Sequence, residues 1–127
     1  MSEIIHDKKD QLQKVQAYVL PTETLYAVFD MKGGGTGFIG ITDLRLIFFD
    51  QAFMRKSKSM VSLPYSKISV VASEDSGALL FGTSKLHVRA GSDDWEFEFR
   101  SNDKAHKAYQ LIMANLLQTE VKGLLEK

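Results

Sequence analysis

Cysteine is absent from this chain of 127 residues. Disulfide bonds, thiolate metal sites and thiol catalysis are therefore excluded. Histidine is scarce as well, since His6, His87 and His106 lie far apart and none has a partner at ligand spacing. An enzyme needs a nucleophile with a base, a metal cluster or a paired acid and base. Because no such set is visible, we predict a protein that is not an enzyme and has no metal, no cofactor and no small-molecule substrate.

The chain also lacks a net charge, because 16 basic residues balance 16 acidic ones. General nucleic-acid-binding proteins are normally basic, so we expect no nucleic-acid partner. No apolar run approaches the ~20 residues that a membrane span needs. Charged residues near the N-terminus stand where a signal peptide has an apolar run. We therefore expect a cytoplasmic protein that is at most peripheral to a membrane.

Apolar residues make up 44% of the sequence, which suits one domain with a hydrophobic core. Residues 3 to 19 are predicted to form a helix, because apolar side chains recur there at roughly helical spacing and Pro21 ends the segment. Seven later runs change to a period of two or are rich in β-branched residues. They cover residues 23–31, 38–43, 44–50, 59–64, 67–74, 84–90 and 94–100. Regular short strands without helices between them predict an antiparallel sandwich or barrel.

The stretch GGGTGFIG (33–40) matches the dinucleotide-binding pattern through Gly35, Gly37 and Gly40. That site needs a helix after the glycines, with its first amides facing the pyrophosphate. The residues after Gly40 are β-branched, aromatic and alternating, which is typical of a strand. We interpret the glycines as the tip of a β-hairpin.

The segment from residue 102 to about 120 is predicted to be a helix that covers one open end of the β structure. Its apolar stripe consists of Ala105, Ala108, Tyr109, Ile112, Met113 and Leu116. The predicted organisation is therefore an N-terminal helical extension (1–20), a β domain that includes this helix (21–120), and a tail (121–127).

Two polar features could indicate acid–base chemistry. Glu96 and Glu98 lie two apart on the strand with the clearest alternation, hence on one face. They are either a carboxylate pair or a solvated strand face, and the apolar alternation of Trp95 and Phe97 favours the solvated face. His87 alternates with apolar neighbours, and nothing visible in the sequence activates it.

TGFIGITDLRLIFFD (36–50) resembles the signature hairpin of bacterial pleckstrin-homology-like (PH-like) domains and the related GRAM domains. The matching residues are Gly40, Thr42, Arg45, Leu46, Ile47 and Phe48. The segment SLPYSKISVVAS (62–73) resembles a second hallmark of the family, a strand entry, through Leu63, Pro64, Tyr65, Lys67 and Ile68. The resemblance implies a mainly β fold, a PH-like antiparallel two-sheet barrel of about seven strands with a C-terminal capping helix. Thr42 and Arg45 have structural explanations, as a turn hydroxyl and as a cation whose stem packs on the sheet.

Two functions from different classes remain open. The first is a bacterial module for protein interaction or self-assembly, with a protein partner or a homo-oligomer. Sheet edges accept partner strands, and the N-terminal segment offers a possible apolar interface of Ile4, Ile5, Leu12, Val15 and Val19. The alternative is peripheral binding to anionic lipid through a basic loop, made by Lys32, Arg55, Lys56 and Lys58. The resemblance favours the first.

Overall fold

Two β-sheets and two helices make up the part of the chain that the computed structural model describes, residues 3–32, 37–49, 60–75 and 82–117. The predicted mainly β, PH-like two-sheet fold with a C-terminal helix is confirmed, and each of the seven predicted runs contains a strand. The elements are β1 (Ile5–His6), α1 (Lys9–Gln16), β2 (Leu25–Asp30), β3 (Phe38–Thr42), β4 (Arg45–Phe49), β5 (Met60–Pro64), a 3₁₀ turn (Tyr65–Lys67), β6 (Ile68–Asp75), β7 (Ser84–Ala90), β8 (Asp93–Phe99) and α2 (Lys104–Leu116).

The first sheet has the strand order β1-β2-β3-β4-β5 and the second has the order β6-β7-β8. All pairs are antiparallel except β1 with β2. The 3₁₀ turn leads from β5 directly into β6. At the other side, Met31 bridges to Phe99 and Arg100 pairs with Asp30, so the end of β8 is tied to the end of β2.

The core lies between the sheets, where Phe29, Phe48 and Phe99 are fully buried. Helix α2 adds Ile112 and most of the predicted stripe to the same cluster. Leu111, which the stripe did not include, is also buried there, whereas Met113 of the stripe is not part of the cluster. The hydroxyl of Ser84 accepts a hydrogen bond from the Ala105 amide (3.0 Å) and so satisfies one free amide of the first helical turn. Neither helix in the described residues is long and apolar enough to cross a membrane.

The glycine stretch leads from strand to strand. Strands β2 and β3 pair antiparallel, and Asp30 opposite Phe38 is the residue pair nearest to the glycines. Gly40 lies within β3, opposite Val28. This arrangement confirms the hairpin and excludes the helix that a dinucleotide site requires at this position. Residues 33–36 lie outside the described part of the chain.

The N-terminal helix is shorter than predicted. Residues 9–16 are helical, whereas Ile5 and His6 form a strand parallel to β2 instead of the first helical turns. Helix α1 packs on the face of the first sheet that points away from the main core. Its Val15 is completely buried there against Gly40 and Leu25.

Gly40 is required by this packing. A Cβ atom added at Gly40 would lie 2.6 Å from Cγ1 of Val15 and 3.6 Å from a methyl of Leu25. Because real carbon contacts are far longer, a side chain at this position must push α1 away from the sheet.

Gly40→Ala is expected to lower the free energy of unfolding by about 1 to 3 kcal/mol, the usual range for overpacking. Urea denaturation measures this loss. In a Val15→Ala background the clashing methyl is gone, so Gly40→Ala should cost almost nothing. An equal cost in both backgrounds would show that contact with α1 is not the reason for the glycine.

Candidate interaction surface

A buried polar corner joins the start of β2 to the β3–β4 turn. Arg45 donates from Nε and Nη2 to the two carboxylate oxygens of Glu23, each at 2.8 Å. The Thr42 hydroxyl donates to the same carboxylate at 2.6 Å. The Thr42 oxygen also accepts from the amides of Leu44 and Arg45, which confirms the turn hydroxyl bond. The Tyr65 hydroxyl donates to the Thr42 carbonyl at 2.6 Å.

The electrostatics of this corner follow from these contacts. Hydrogen bonding from Arg45 is the largest cause that lowers the pKa of Glu23, from 4.5 to about 2, against the opposing effect of burial. Burial raises the pKa of Tyr65 well above its ordinary value. Each polar group is matched by a partner from the chain itself, so the corner is a structural element and not a ligand site. The sequence indicated Thr42 and Arg45 but missed Glu23.

Exposed apolar side chains surround the same corner. Tyr18, Leu20 and Leu44 are each about half exposed. The Tyr18 carbonyl accepts a hydrogen bond from Arg45, and the Leu20 amide donates to Glu23. The ion pair therefore holds the α1–β2 connection in place.

The outward-facing side of the second sheet carries a row of ion pairs. Arg89 lies 2.7 Å from Asp94, and Lys85 lies 3.5 Å from Glu96. His87 is 2.7 Å from Glu74 and 3.8 Å from Glu96. The solvated face predicted from the alternation around Trp95 is therefore present. An open cavity of about 480 Å³ lies on this side, lined by Val70, His87, Val88, Arg89, Asp94, Trp95 and Glu96.

His87 has a carboxylate partner that the sequence did not indicate. Glu74 lies 13 residues earlier and becomes a diagonal neighbour only through the β6–β7 register, which sets Glu74 opposite Lys85. His106 instead stacks on Tyr109 in α2, with ring centroids 6.1 Å apart. In the described ranges, no three histidine or acidic side chains are placed to hold a metal ion.

Strand β6 is an edge of the second sheet. It is eight residues long and, among the described strands, pairs only with β7. Val70, the third residue of β6, is 50% exposed. Burial alternates imperfectly along β6, and the register of β6 with β7 shifts between Ile68 and Val70. A long edge with an exposed valine can accept another strand.

The predicted N-terminal interface is packed within this chain. Val15 is completely buried, and Ile4, Leu12 and Val19 are partly buried against the same cluster. Ile5 packs on the main core from β1. Val15 therefore packs within its own chain. A role of Ile4, Ile5, Leu12 and Val19 in an interface stays a prediction.

The predicted basic loop is only partly placed. Arg55, Lys56 and Lys58 lie outside the described residues. Lys32 lies beside β8, where its amide donates to the Glu98 carbonyl (2.7 Å) and its Nζ is 3.9 Å from the Glu98 carboxylate. The lipid-binding role of these four residues stays a prediction.

The family profile for the bacterial PH domain matches residues 1–116 of the chain. The chain belongs to the bacterial PH domain family. The matched range includes residues 1–20, the predicted N-terminal extension. A search among curated proteins finds no match.

Solved structures of other PH domains share this fold. A pleckstrin homology domain from Shewanella amazonensis has a TM-score of 0.62 at 19% identity, over 87% of this chain and 99% of that one. A PH-domain-containing protein from Exiguobacterium sibiricum has a TM-score of 0.64 at 18% identity, over 91% of this chain and 64% of that one. A protein with a pleckstrin-homology domain from Shewanella loihica has a TM-score of 0.57 at 20% identity, over 87% of this chain and 98% of that one. At these identities the likeness concerns the fold.

Proposed function

We propose that this bacterial PH domain is a non-catalytic module that receives an extended segment of a partner protein, or of a second copy, at the edge of β6 that pairs with no other described strand. PH domains in general are interaction modules. The observation that carries the proposal is the eight-residue edge, whose third residue is a half-exposed valine. Added strands gain main-chain hydrogen bonds along such an edge and side-chain contacts on both faces.

The lining of the edge supports this use. On the outward side, Val70, Ala72 and Glu74 are exposed. On the inward side, Val71 is partly buried against the core, to which α2 contributes. An added strand would therefore extend the solvated face on the outward side, while its inward side chains would lie near α2, which packs against β6.

Val70→Lys tests the edge with little risk to folding, because the side chain it replaces is half exposed. Natural proteins use lysine on edge strands to prevent strand addition. Heptapeptides selected from a random library on the wild-type protein should bind Val70→Lys at least about tenfold more weakly, a loss of about 1.4 kcal/mol. If self-assembly uses this edge, sedimentation equilibrium should show a lower mass for the variant.

Leu44→Lys is the matched control, because Leu44 is 51% exposed and lies in the β3–β4 turn at the polar corner, not on β6. It should bind the selected peptides as the wild type does. Peptides that bind Val70→Lys normally, together with an unchanged mass, would reject the β6 edge. Sedimentation with phosphatidylcholine–phosphatidylserine liposomes that weakens with salt and is lost in Arg55→Glu with Lys56→Glu would favour the lipid alternative.

A further inference from the structure

Glu74 is the acidic residue on the outward side of β6, and its side chain is 62% exposed. It stands in line with Val70 and Ala72 at intervals of two residues, so all three face the same side. Any strand added at this edge places its own outward side chains beside these three. The chemistry of the row therefore selects the partner.

Neither Lys85 nor Arg89 of the neighbouring strand forms an ion pair with Glu74 in the described structure. Lys85 is opposite Glu74 in the register, yet its ammonium group lies 3.5 Å from Glu96 on β8. Arg89 is likewise engaged by Asp94 on β8. The contact of Glu74 is with the imidazole of His87, at 2.7 Å, and not with a lysine or an arginine.

No residue of β6 itself is basic, since the strand reads ISVVASED. A lysine or arginine opposite Glu74 in an added strand would thus bring a permanent positive charge to an exposed carboxylate. Valine and alanine further along the row favour apolar neighbours instead. Opposite charges and apolar pairs across strands both stabilise a sheet, whereas like charges destabilise it.

We propose that the β6 edge selects an extended protein segment with a basic residue opposite Glu74 and apolar residues two and four positions away on the same face. If the segment runs antiparallel to β6, its basic residue comes before the two apolar residues in the sequence. If it runs parallel, the basic residue comes after them. This inference rests on the proposed function and adds the chemistry of the partner. The partner is thus a segment of alternating polarity that carries lysine or arginine at one end of its outward row.

The test uses blocked heptapeptides of alternating threonine and valine in which one terminal valine is replaced by lysine or by glutamate. Both ends are tried, so that either strand direction is covered. Dissociation constants are measured by NMR titration of the labelled full chain, with amide shifts followed along β6. The lysine peptide should bind about threefold to tenfold more tightly than its glutamate counterpart. The difference should shrink as salt is added.

Charge reversal at the protein side gives the sharper result. Glu74→Gln should remove most of the preference, and Glu74→Lys should invert it in favour of the glutamate peptide. Glu98→Gln is the matched control. Glu98 is also opposite Lys85, but on β8, so its backbone lies two strands, or ~10 Å, from that of Glu74. It should keep the lysine preference. Amide spectra of the variants show whether each remains folded.

Failure of this inference is distinguishable from failure of the proposed function. Equal binding of both peptides at β6, or an unchanged preference in Glu74→Lys, overturns the charge selection and leaves strand addition standing. Absence of shifts along β6 with every peptide, together with selected peptides that ignore Val70→Lys, overturns both.

Discussion

Arg45→Met is expected to lower the free energy of unfolding by about 3 to 5 kcal/mol, the usual cost of removing one partner of a buried ion pair. Methionine keeps the apolar stem of the side chain but removes the guanidinium group. The carboxylate of Glu23, whose side chain is fully buried, would then have no cation within the corner. Urea denaturation at neutral pH measures the loss, with the slope of the transition as a check that unfolding stays two-state.

A double-mutant cycle separates the charge from the packing. Glu23→Gln removes the buried charge, so Arg45→Met in that background should cost clearly less than in the wild type. The hydrogen bonds of Arg45 to Ser62 and to the Tyr18 carbonyl are lost in both backgrounds and therefore cancel. Equal costs would mean that Arg45 stabilises the fold through its other contacts, such as those with Ser62 and Tyr18, and not through the charge of Glu23.

Only part of this corner could be predicted from the sequence. Thr42 and Arg45 could be identified because they stand within one turn of a recognisable hairpin. Glu23 could not, since it lies 22 residues before Arg45 and pairs with it only once β2 and β3 have aligned. A single glutamate in a connecting segment carries no periodic signal, and surface exposure is its ordinary state.

The strands were predictable for a physical reason. In β8 one face lies in the core, and the alternation that results is visible locally in Trp95, Phe97 and Phe99. Strand β3 is buried on both faces and is indicated by its β-branched residues instead. Strand β1 was missed because two residues give no period, and its pairing with β2 is non-local. The helix prediction extended too far because Ile4 and Ile5 also satisfy a helical pattern.

The candidate interaction surface could likewise be predicted only in part. That some sheet edge would be free followed from the antiparallel architecture. That the edge would be β6 depends on the strand order of the second sheet, which no local pattern encodes. The contact between His87 and Glu74 depends on register in addition, and a shift of one residue would place them on opposite faces.

The acid dependence of stability is the second large effect. The pKa of Glu23 is about 2 in the folded protein, against 4.5 for the free side chain, and hydrogen bonding from Arg45 is the main cause. A lowered folded pKa means that the carboxylate stabilises the fold above pH 4.5 and that this contribution is lost as the pH falls towards 2. The difference corresponds to about 3 kcal/mol.

Glu23→Gln isolates this contribution from the other titrating groups, because a glutamine has nearly the shape of a protonated glutamate. Urea denaturation at several pH values should give the largest difference in unfolding free energy between wild type and variant near neutral pH. The difference should shrink by about 3 kcal/mol as the pH falls from 5 to 2, because protonation removes the charge of Glu23 over this range. Parallel stability curves across that range would contradict the lowered pKa and, with it, the account of the corner as a buried ion pair.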